Sequence, residues 1–298
     1  MSDRQAGTGS TGAPLGVGER PLLGIAFMAV GVSLVPVMDG IAKAMSAHYP
    51  VLQIVWARFA FHLLWLLPFL LWRRRPGELL PRHPGLQLLR GAFLLGATLC
   101  YFSAIALMPI ADALALLFIS PMVVTLLAPV VLGERVGIWR WSAVVAGFLG
   151  ALIVVRPGFG VFQWASVLAL AAGGLHGAYL LTTRRLAGST NPMITLFYTG
   201  LVGVAAMSLA MPALWVPPTA GDWGLMIAMG GFAASGHFLV IQAFDRAPAP
   251  VVAPVAYAEI VAATAVGYFA FGDFPAPVTW LGILVIVASG LVITLRER

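Results

Sequence analysis

The sequence predicts an all-α integral membrane protein whose ten transmembrane helices form two inverted repeats of five. First, 60% of the 298 residues are hydrophobic and only 9% are charged, with a mean hydropathy of +0.96, a balance that soluble globular domains do not show. Second, apolar runs long enough to cross a hydrocarbon core of about 30 Å follow one another along most of the chain. Third, the two halves of the chain match each other at a fixed offset.

The elements follow in order from the amino terminus. Residues 1–20 are rich in Gly, Ser and Thr and contain no long apolar run, so we expect a flexible cytoplasmic tail and no cleavable signal peptide. The connections between the apolar segments are short and mostly contain Pro, Gly or Asp, which favours tight helical hairpins. The ten segments are predicted at about 21–45, 51–72, 86–107, 112–132, 138–155, 163–183, 192–215, 223–244, 251–271 and 277–295.

The orientation follows from the positions of Lys and Arg between the segments. Nearly all of them, Arg90 included, fall on the side of the amino terminus, and Arg156 is the exception in the opposite loops. Loops that carry an excess of Lys and Arg stay in the cytoplasm, so both termini are predicted to be cytoplasmic. We expect a multi-pass protein of a bacterial-type inner membrane.

An internal repeat is visible at an offset of 139 residues. A unit with an odd number of spans forces the following unit to be inverted in the membrane, and inverted repeats form a transport pathway at their interface near the midplane. We therefore expect a first repeat over 21–159 and a second over 160–298. The matching residues are Gly91 and Gly230, Ala104 and Ala243, Pro109 and Pro248, Gly133 and Gly272, Glu134 and Asp273, and Trp141 and Trp280.

Short motifs identify a family. Ser120-Pro121, Gly133-Glu134-Arg135 and Arg156-Pro157-Gly158 in the first half, with Gly272-Asp273 in the second, resemble the EamA-type drug/metabolite transporter superfamily. Within it the chain is similar overall to the YddG-type exporters of aromatic amino acids and methionine. The resemblance implies a central cavity lined by segments 1, 3, 4, 6, 8 and 9, with segments 2 and 7 peripheral and segments 5 and 10 as supports. The chain departs from the pattern in the second copy, where Gly-Asp-Phe replaces Gly-Glu-Arg.

Charged side chains inside the first hairpin form one candidate site. Asp39 and Arg58 are about equally far from the turn near Tyr49, so they are predicted to lie at the same depth and to form an ion pair. The pair could be a structural bridge, or Asp39 could contact the substrate. Lys43 is one helical turn beyond Asp39 on the same face and is a further cavity candidate that could extend toward the outer surface.

A second candidate site lies in the other half. His237 and Glu259 are each eleven residues from Pro248, so they too are predicted to share a depth, and His176 lies at a comparable one. A carboxylate beside an imidazole suits proton coupling or recognition of an ammonium group. The alternative is a neutral hydrogen bond that joins two helices.

Aromatic and amide side chains complete the predicted substrate site. Tyrosine rings can stack on an aromatic substrate while their hydroxyls orient a polar group. Packing without contact to the substrate is the alternative for each tyrosine. The candidates on predicted cavity segments are Tyr101, Tyr179 and Tyr257, together with Trp164 at the outer mouth and Gln242 deep in segment 8.

Several classes of function are disfavoured. The single cysteine, Cys100, allows no intrachain disulfide or cysteine-based zinc site, and no Walker-type Gly-Lys pair, His-Glu-x-x-His or Gly-x-Ser-x-Gly motif occurs. We therefore expect no cofactor, metal or enzymatic activity, no nucleic-acid partner, and a monomer or weak homodimer in lipid. The prediction is a secondary transporter that exports amino acids or similar amphipathic metabolites. The alternatives are an exchanger of nucleotide-linked or phosphorylated metabolites and a drug efflux protein.

Overall fold

The computed structural model describes residues 20–73, 81, 83–133, 136–155, 164–186, 191–247 and 249–295, and this part of the chain is helical without a β-strand. Apolar composition and prolines at the starts of many segments determine where the helices begin. The first half forms α1 (Pro21–Met45), α2 (Val51–Arg73), α3 (Pro84–Ile105), α4 (Ile110–Leu117), α5 (Ser120–Val131) and α6 (Ile138–Val155). The second half forms α7 (Trp164–Leu186), α8 (Pro192–Ser208), α9 (Met211–Leu214), α10 (Ala220–Phe244), α11 (Ala249–Val252), α12 (Ala258–Phe271) and α13 (Pro277–Leu295).

Eight helical stretches in the described residues are long and apolar enough to cross a membrane. The two remaining apolar segments form shorter helices, Pro192–Ser208 and Pro277–Ile293. The chain is therefore a multi-pass membrane protein. The count of ten spans and the cytoplasmic position of both termini remain predictions. The tail over 1–19 and the motif residues 134–135 and 156–158 lie outside the described residues.

The two halves of the structure follow the 139-residue offset. Helix α6 begins at Ile138 and α13 at Pro277, and the helices before them are followed by glycines in the same left-handed conformation, Gly133 with φ 69° and Gly272 with φ 72°. A residue with a Cβ is strained at such a φ, so glycine is favoured at both positions. The contacts between helices follow the same symmetry. Helices α1 and α7 are equivalent, as are α3 and α10, and the contact of α1 with α10 matches that of α7 with α3. The equivalent helices α6 and α13 contact each other.

The fourth and ninth predicted segments, 112–132 and 251–271, are each interrupted near a proline. In the first half α4 ends at Leu117 and α5 begins at Ser120; in the second a 3₁₀ helix over Ala253–Tyr257 precedes α12. Proline near the start of α5 and of the 3₁₀ turn lacks the backbone N–H that a continuous helix needs. The breaks occupy equivalent positions, and the rings of Phe118 and Tyr257, which are 139 residues apart, pack edge-to-face with centroids 5.3 Å apart.

Candidate functional site: a cavity between the repeats

A cavity of about 220 Å³ lies where the two repeats meet, next to both helix breaks. Helices α1, α2, α3 and α4 line it from the first half, and α7, α10 and α12 from the second. Its walls are mainly apolar, with Val, Leu, Phe and Ala side chains. The titratable side chains among its described lining residues are Asp39, Arg58, Tyr101, His176, His237 and Glu259.

Two carboxylates and a phenol form an acidic group in the cavity wall. Asp39 is 1% exposed, and its Oδ2 accepts a hydrogen bond of 3.2 Å from the hydroxyl of Tyr101. Its other oxygen, Oδ1, has no hydrogen-bond partner among the described residues. Glu259 lies in the first turn of α12, where the helix dipole favours negative charge, and it lines the same cavity as Asp39 and Tyr101.

A guanidinium and imidazoles form a basic group in the same wall. Arg58 is 6% exposed, its Cζ lies 4.4 Å from the centre of the Phe59 ring, and its Nε has no hydrogen-bond partner in the described part of the chain. The Nδ1 of His176 lies 3.2 Å from the hydroxyl of Ser120 at the start of α5. The ring of His237 packs edge-to-face on the ring of His62, with centroids 5.8 Å apart.

The structure brings these side chains to one cavity without the direct pairs that the sequence suggests. Within the described residues no ion pair of 4.0 Å or less joins Asp39 to Arg58, although both line the same cavity. No hydrogen bond joins His237 to Glu259 there either. The number of residues from a turn gives the depth of a side chain, but it does not give the direction in which that side chain points around its helix.

Lys43, Gln242 and Trp164 lie outside this cavity. The ammonium of Lys43 forms an ion pair of 2.7 Å with Asp273 and donates a hydrogen bond of 3.0 Å to the carbonyl of Met108. It therefore joins the end of α1 to two turns. The amide oxygen of Gln242 accepts a hydrogen bond from the guanidinium of Arg246. Trp164 is 77% exposed at the first residue of α7.

Two of the candidate tyrosines pack beside the cavity. Tyr179 is buried, and its ring stacks on the ring of His176 with centroids 5.5 Å apart. Tyr257 lies at the helix break, where its ring contacts Phe118 and its hydroxyl lies against Gly290 of α13. Each supports a part of the cavity wall from behind.

Arg90 is a buried cation that sequence reasoning places with the cytoplasmic charges. It is 3% exposed, and its guanidinium donates hydrogen bonds to Thr183 at 2.7 Å, to the hydroxyl of Tyr179 at 2.6 Å and to the carbonyl of Thr195 at 3.2 Å, with a fourth to Thr199. It ties α3 to α7 and α8 and reaches His176 through Tyr179. The threonines of α7 and α8 are the signal that could have identified it, since a buried cation needs polar partners.

The described lining residues follow the pattern that the family resemblance implies. All of them except Arg58, which comes from segment 2, lie on segments 1, 3, 4, 6, 8 and 9. Two helical repeats around a central cavity, with broken helices at equivalent positions, occur in secondary transporters. The chain belongs to the EamA-like transporter family, whose model matches residues 22–156 and 163–295.

Relatives of this chain are named for different substrates. The chain is 31% identical to a riboflavin transporter of Rhizobium johnstonii, over 85% of this chain and 84% of that one. It is 30% identical to the pseudopaline exporter CntI of Pseudomonas aeruginosa, over 88% and 92%, and 25% identical to an S-adenosylmethionine uptake transporter of Rickettsia prowazekii, over 93% and 94%. A solved crystal structure with 20% sequence identity matches 92% of this chain and 96% of its own with a TM-score of 0.63, which shows the shared fold.

Proposed function

We propose that this protein is a secondary transporter, without enzymatic activity, that exports small amphipathic amino acids, with aromatic amino acids and methionine as its preferred substrates. It crosses the bacterial inner membrane ten times, with both termini in the cytoplasm. The observation that carries the proposal is a single cavity in which carboxylates, a guanidinium and apolar walls occur together. An amino acid with an apolar side chain presents the complementary groups, an ammonium, a carboxylate and an apolar body.

The size of the cavity supports a small substrate. Sites for drug-sized ligands typically measure about 300–1,000 Å³, and this cavity measures about 220 Å³. Arg58 is the one Lys or Arg among the described lining residues, which favours a single negative charge over the phosphate groups of a nucleotide-linked metabolite. One relative is named as an exporter and another as an uptake transporter, which indicates that both export and uptake occur in the family.

The helix breaks support alternating access as the mechanism. A break or a 3₁₀ turn interrupts the regular hydrogen bonding of an α-helix, so the two halves of the segment can tilt separately. Here each repeat has its break beside the cavity, between α4 and α5 and before α12. Opposite tilts of the two equivalent elements would expose the same cavity to one side of the membrane and then to the other.

Uptake into proteoliposomes tests the proposal. Purified protein is reconstituted, and the uptake of radiolabelled tryptophan, phenylalanine, methionine and threonine is compared with that of riboflavin and S-adenosylmethionine, with empty liposomes as the control. We expect saturable uptake of the aromatic amino acids and methionine. Uptake of riboflavin or S-adenosylmethionine alone would contradict the amino acid substrate. Uptake that also requires a second solute on the opposite side would identify an exchanger.

A further inference from the structure

Arg58 is a buried cation on a membrane-spanning helix and has no direct ionic partner in the described part of the chain. It is the eighth residue of α2, is 6% exposed and lines the cavity. Its Nε has no hydrogen-bond partner, and none of the ion pairs or hydrogen bonds of the described residues includes its guanidinium. A buried charge that lacks hydrogen bonds is costly, so such groups usually have a partner in the functional state.

The contrast with Arg90 shows what a structural arginine looks like in this protein. Arg90 is similarly buried, yet its guanidinium donates four hydrogen bonds to Thr and Tyr oxygens. The fold thus provides acceptors where an arginine serves to hold helices together. Among the described residues it provides none for Arg58, whose guanidinium borders open cavity volume.

The acidic side of the cavity has a matching unpaired atom. Oδ1 of Asp39 is buried without a hydrogen-bond partner among the described residues, while Oδ2 is held by Tyr101. Glu259 adds a second carboxylate to that side. Among the described residues, the cavity is therefore lined by carboxyl groups and a guanidinium that form no ion pair of 4.0 Å or less with each other, so both kinds of group can bind a molecule that carries both charges.

We propose that Arg58 binds the carboxylate of a zwitterionic substrate, while Asp39 with Glu259 binds its ammonium group. A guanidinium can donate two parallel hydrogen bonds to one carboxylate, and within the described residues Nε of Arg58 has no acceptor. The rings of His176 and His237 complete the cavity wall. This assignment rests on the proposed function for the identity of the substrate, but the carboxylate site itself can be tested without transport.

Three probes that share one phenyl ring separate the two ends of the site. Phenylalanine has both charges, 3-phenylpropionate has only the carboxylate, and 2-phenylethylamine has only the ammonium. Binding of each to purified protein in detergent is measured by calorimetry for the wild type, Arg58→Gln, Arg58→Lys and Asp39→Asn. Arg246→Gln is the matched control, because the guanidinium of Arg246 is held by Gln242 outside the cavity.

The two singly charged probes should respond differently to Arg58→Gln. We expect 3-phenylpropionate to bind at least about tenfold more weakly, as the loss of a charge-assisted contact implies. 2-Phenylethylamine should bind as well as to the wild type or more tightly, because a nearby positive charge is gone. Arg58→Lys should bind 3-phenylpropionate with intermediate affinity, and Asp39→Asn should weaken the amine but not 3-phenylpropionate. Arg246→Gln should leave all three affinities unchanged.

Each alternative outcome contradicts the assignment in a distinct way. Equal loss of both probes in Arg58→Gln would show that Arg58 only maintains the cavity, and unchanged 3-phenylpropionate binding would show that the carboxylate binds elsewhere. Failure of every probe to bind the wild type would also overturn the assignment. If 3-phenylpropionate binds through Arg58 but no amino acid is transported, the site stands and the proposed substrate fails. Arg58→Lys keeps the test valid if Arg58→Gln does not fold.

Discussion

Gly230 is the point at which α10 closely approaches α2, and a single methyl group there tests the packing that positions the cavity. A Cβ on Gly230 would overlap the Cβ of Phe61 and would lie 2.6 Å from the backbone nitrogen of His62. Both residues belong to α2, within about one helical turn of Arg58. Gly230→Ala must therefore push the two helices apart, because backbone atoms cannot rotate away from the clash.

The expected loss of stability can be worked out from two opposing effects. Overpacking of a filled site typically costs about 1–3 kcal/mol, and replacement of glycine by alanine inside a helix gains up to about 1 kcal/mol. With backbone atoms as the neighbours, we expect the upper part of the first range and a net destabilisation of about 1–2 kcal/mol. That corresponds to a factor of roughly 5–30 in the folded to unfolded ratio.

Two matched variants define the comparison. Gly224 lies on the same helix, and a methyl group added to it would have no other atom within 4 Å, so Gly224→Ala should be neutral or slightly stabilising. Gly91 is the repeat equivalent of Gly230, and the nearest atoms to a Cβ there would be Cβ and Cγ2 of Val202, both at 2.8 Å. These contacts are longer than those at Gly230, and none of the three nearest atoms belongs to the backbone, so Gly91→Ala should cost less than Gly230→Ala.

The assay is unfolding of the purified variants by sodium dodecyl sulfate in mixed micelles, followed by circular dichroism and tryptophan fluorescence. The order of stability should be Gly224→Ala, then Gly91→Ala, then Gly230→Ala. A Gly230→Ala protein as stable as Gly224→Ala would refute the close contact between α10 and α2. If Gly230→Ala is destabilised, it should also weaken 3-phenylpropionate binding, because α2 carries Arg58.

Three further predictions concern polar contacts. Lys43→Gln and Asp273→Asn should each lower the stability of the protein. A double-mutant cycle should give a coupling energy of up to about 1 kcal/mol for this partly exposed pair. A coupling energy of zero would mean that the contact contributes nothing. Tyr179→Phe should lower the melting temperature because Arg90 loses a hydrogen-bond acceptor. Tyr198→Phe is the control and should not lower it, since the ring of Tyr198 contacts Phe197 instead. Equal melting temperatures for the two variants would contradict the role of Tyr179 as an acceptor for Arg90. Glu259→Gln should change the rate of amino acid uptake while the protein keeps its helix content. Asp245→Asn, at the exposed end of α10, should leave the uptake rate unchanged. Uptake by Glu259→Gln at the wild-type rate would exclude a role of Glu259 in substrate binding or coupling.

The sequence is most informative about the positions of elements along the chain. The limits predicted for the first and fifth segments, 21–45 and 138–155, are those of α1 and α6, because long apolar runs bounded by Pro, Gly and charged residues leave little choice. The helix breaks are only partly predictable. Pro121 and Pro254 are visible in the sequence, but a proline in an apolar run can produce a kink or a break, and the contacts of neighbouring helices decide between them.

Prediction of the cavity residues is limited by direction more than by depth. Distance from a turn places Asp39 with Arg58, and His237 with Glu259, at the levels where all four line the cavity. Lys43 is selected because it lies one turn beyond Asp39 on the same helical face, but its partner Asp273 can be identified only once the helices are packed. Gln242 is selected by its depth in segment 8, but its amide oxygen accepts a hydrogen bond from Arg246, four residues further along the chain.

The two buried arginines show why a charge count cannot separate topology from function. By sequence, Arg90 counts as a cytoplasmic charge because it lies in the second turn of its segment, and Arg58 fits a structural bridge because an acidic residue lies at its depth. In the structure Arg90 has neutral oxygen acceptors supplied by α7 and α8, and Arg58 lines the cavity. The difference between them lies in the neighbouring helices, which present threonines to one guanidinium and open volume to the other. A buried arginine that the fold leaves without acceptors is therefore the place where we expect this helical bundle to bind an anion.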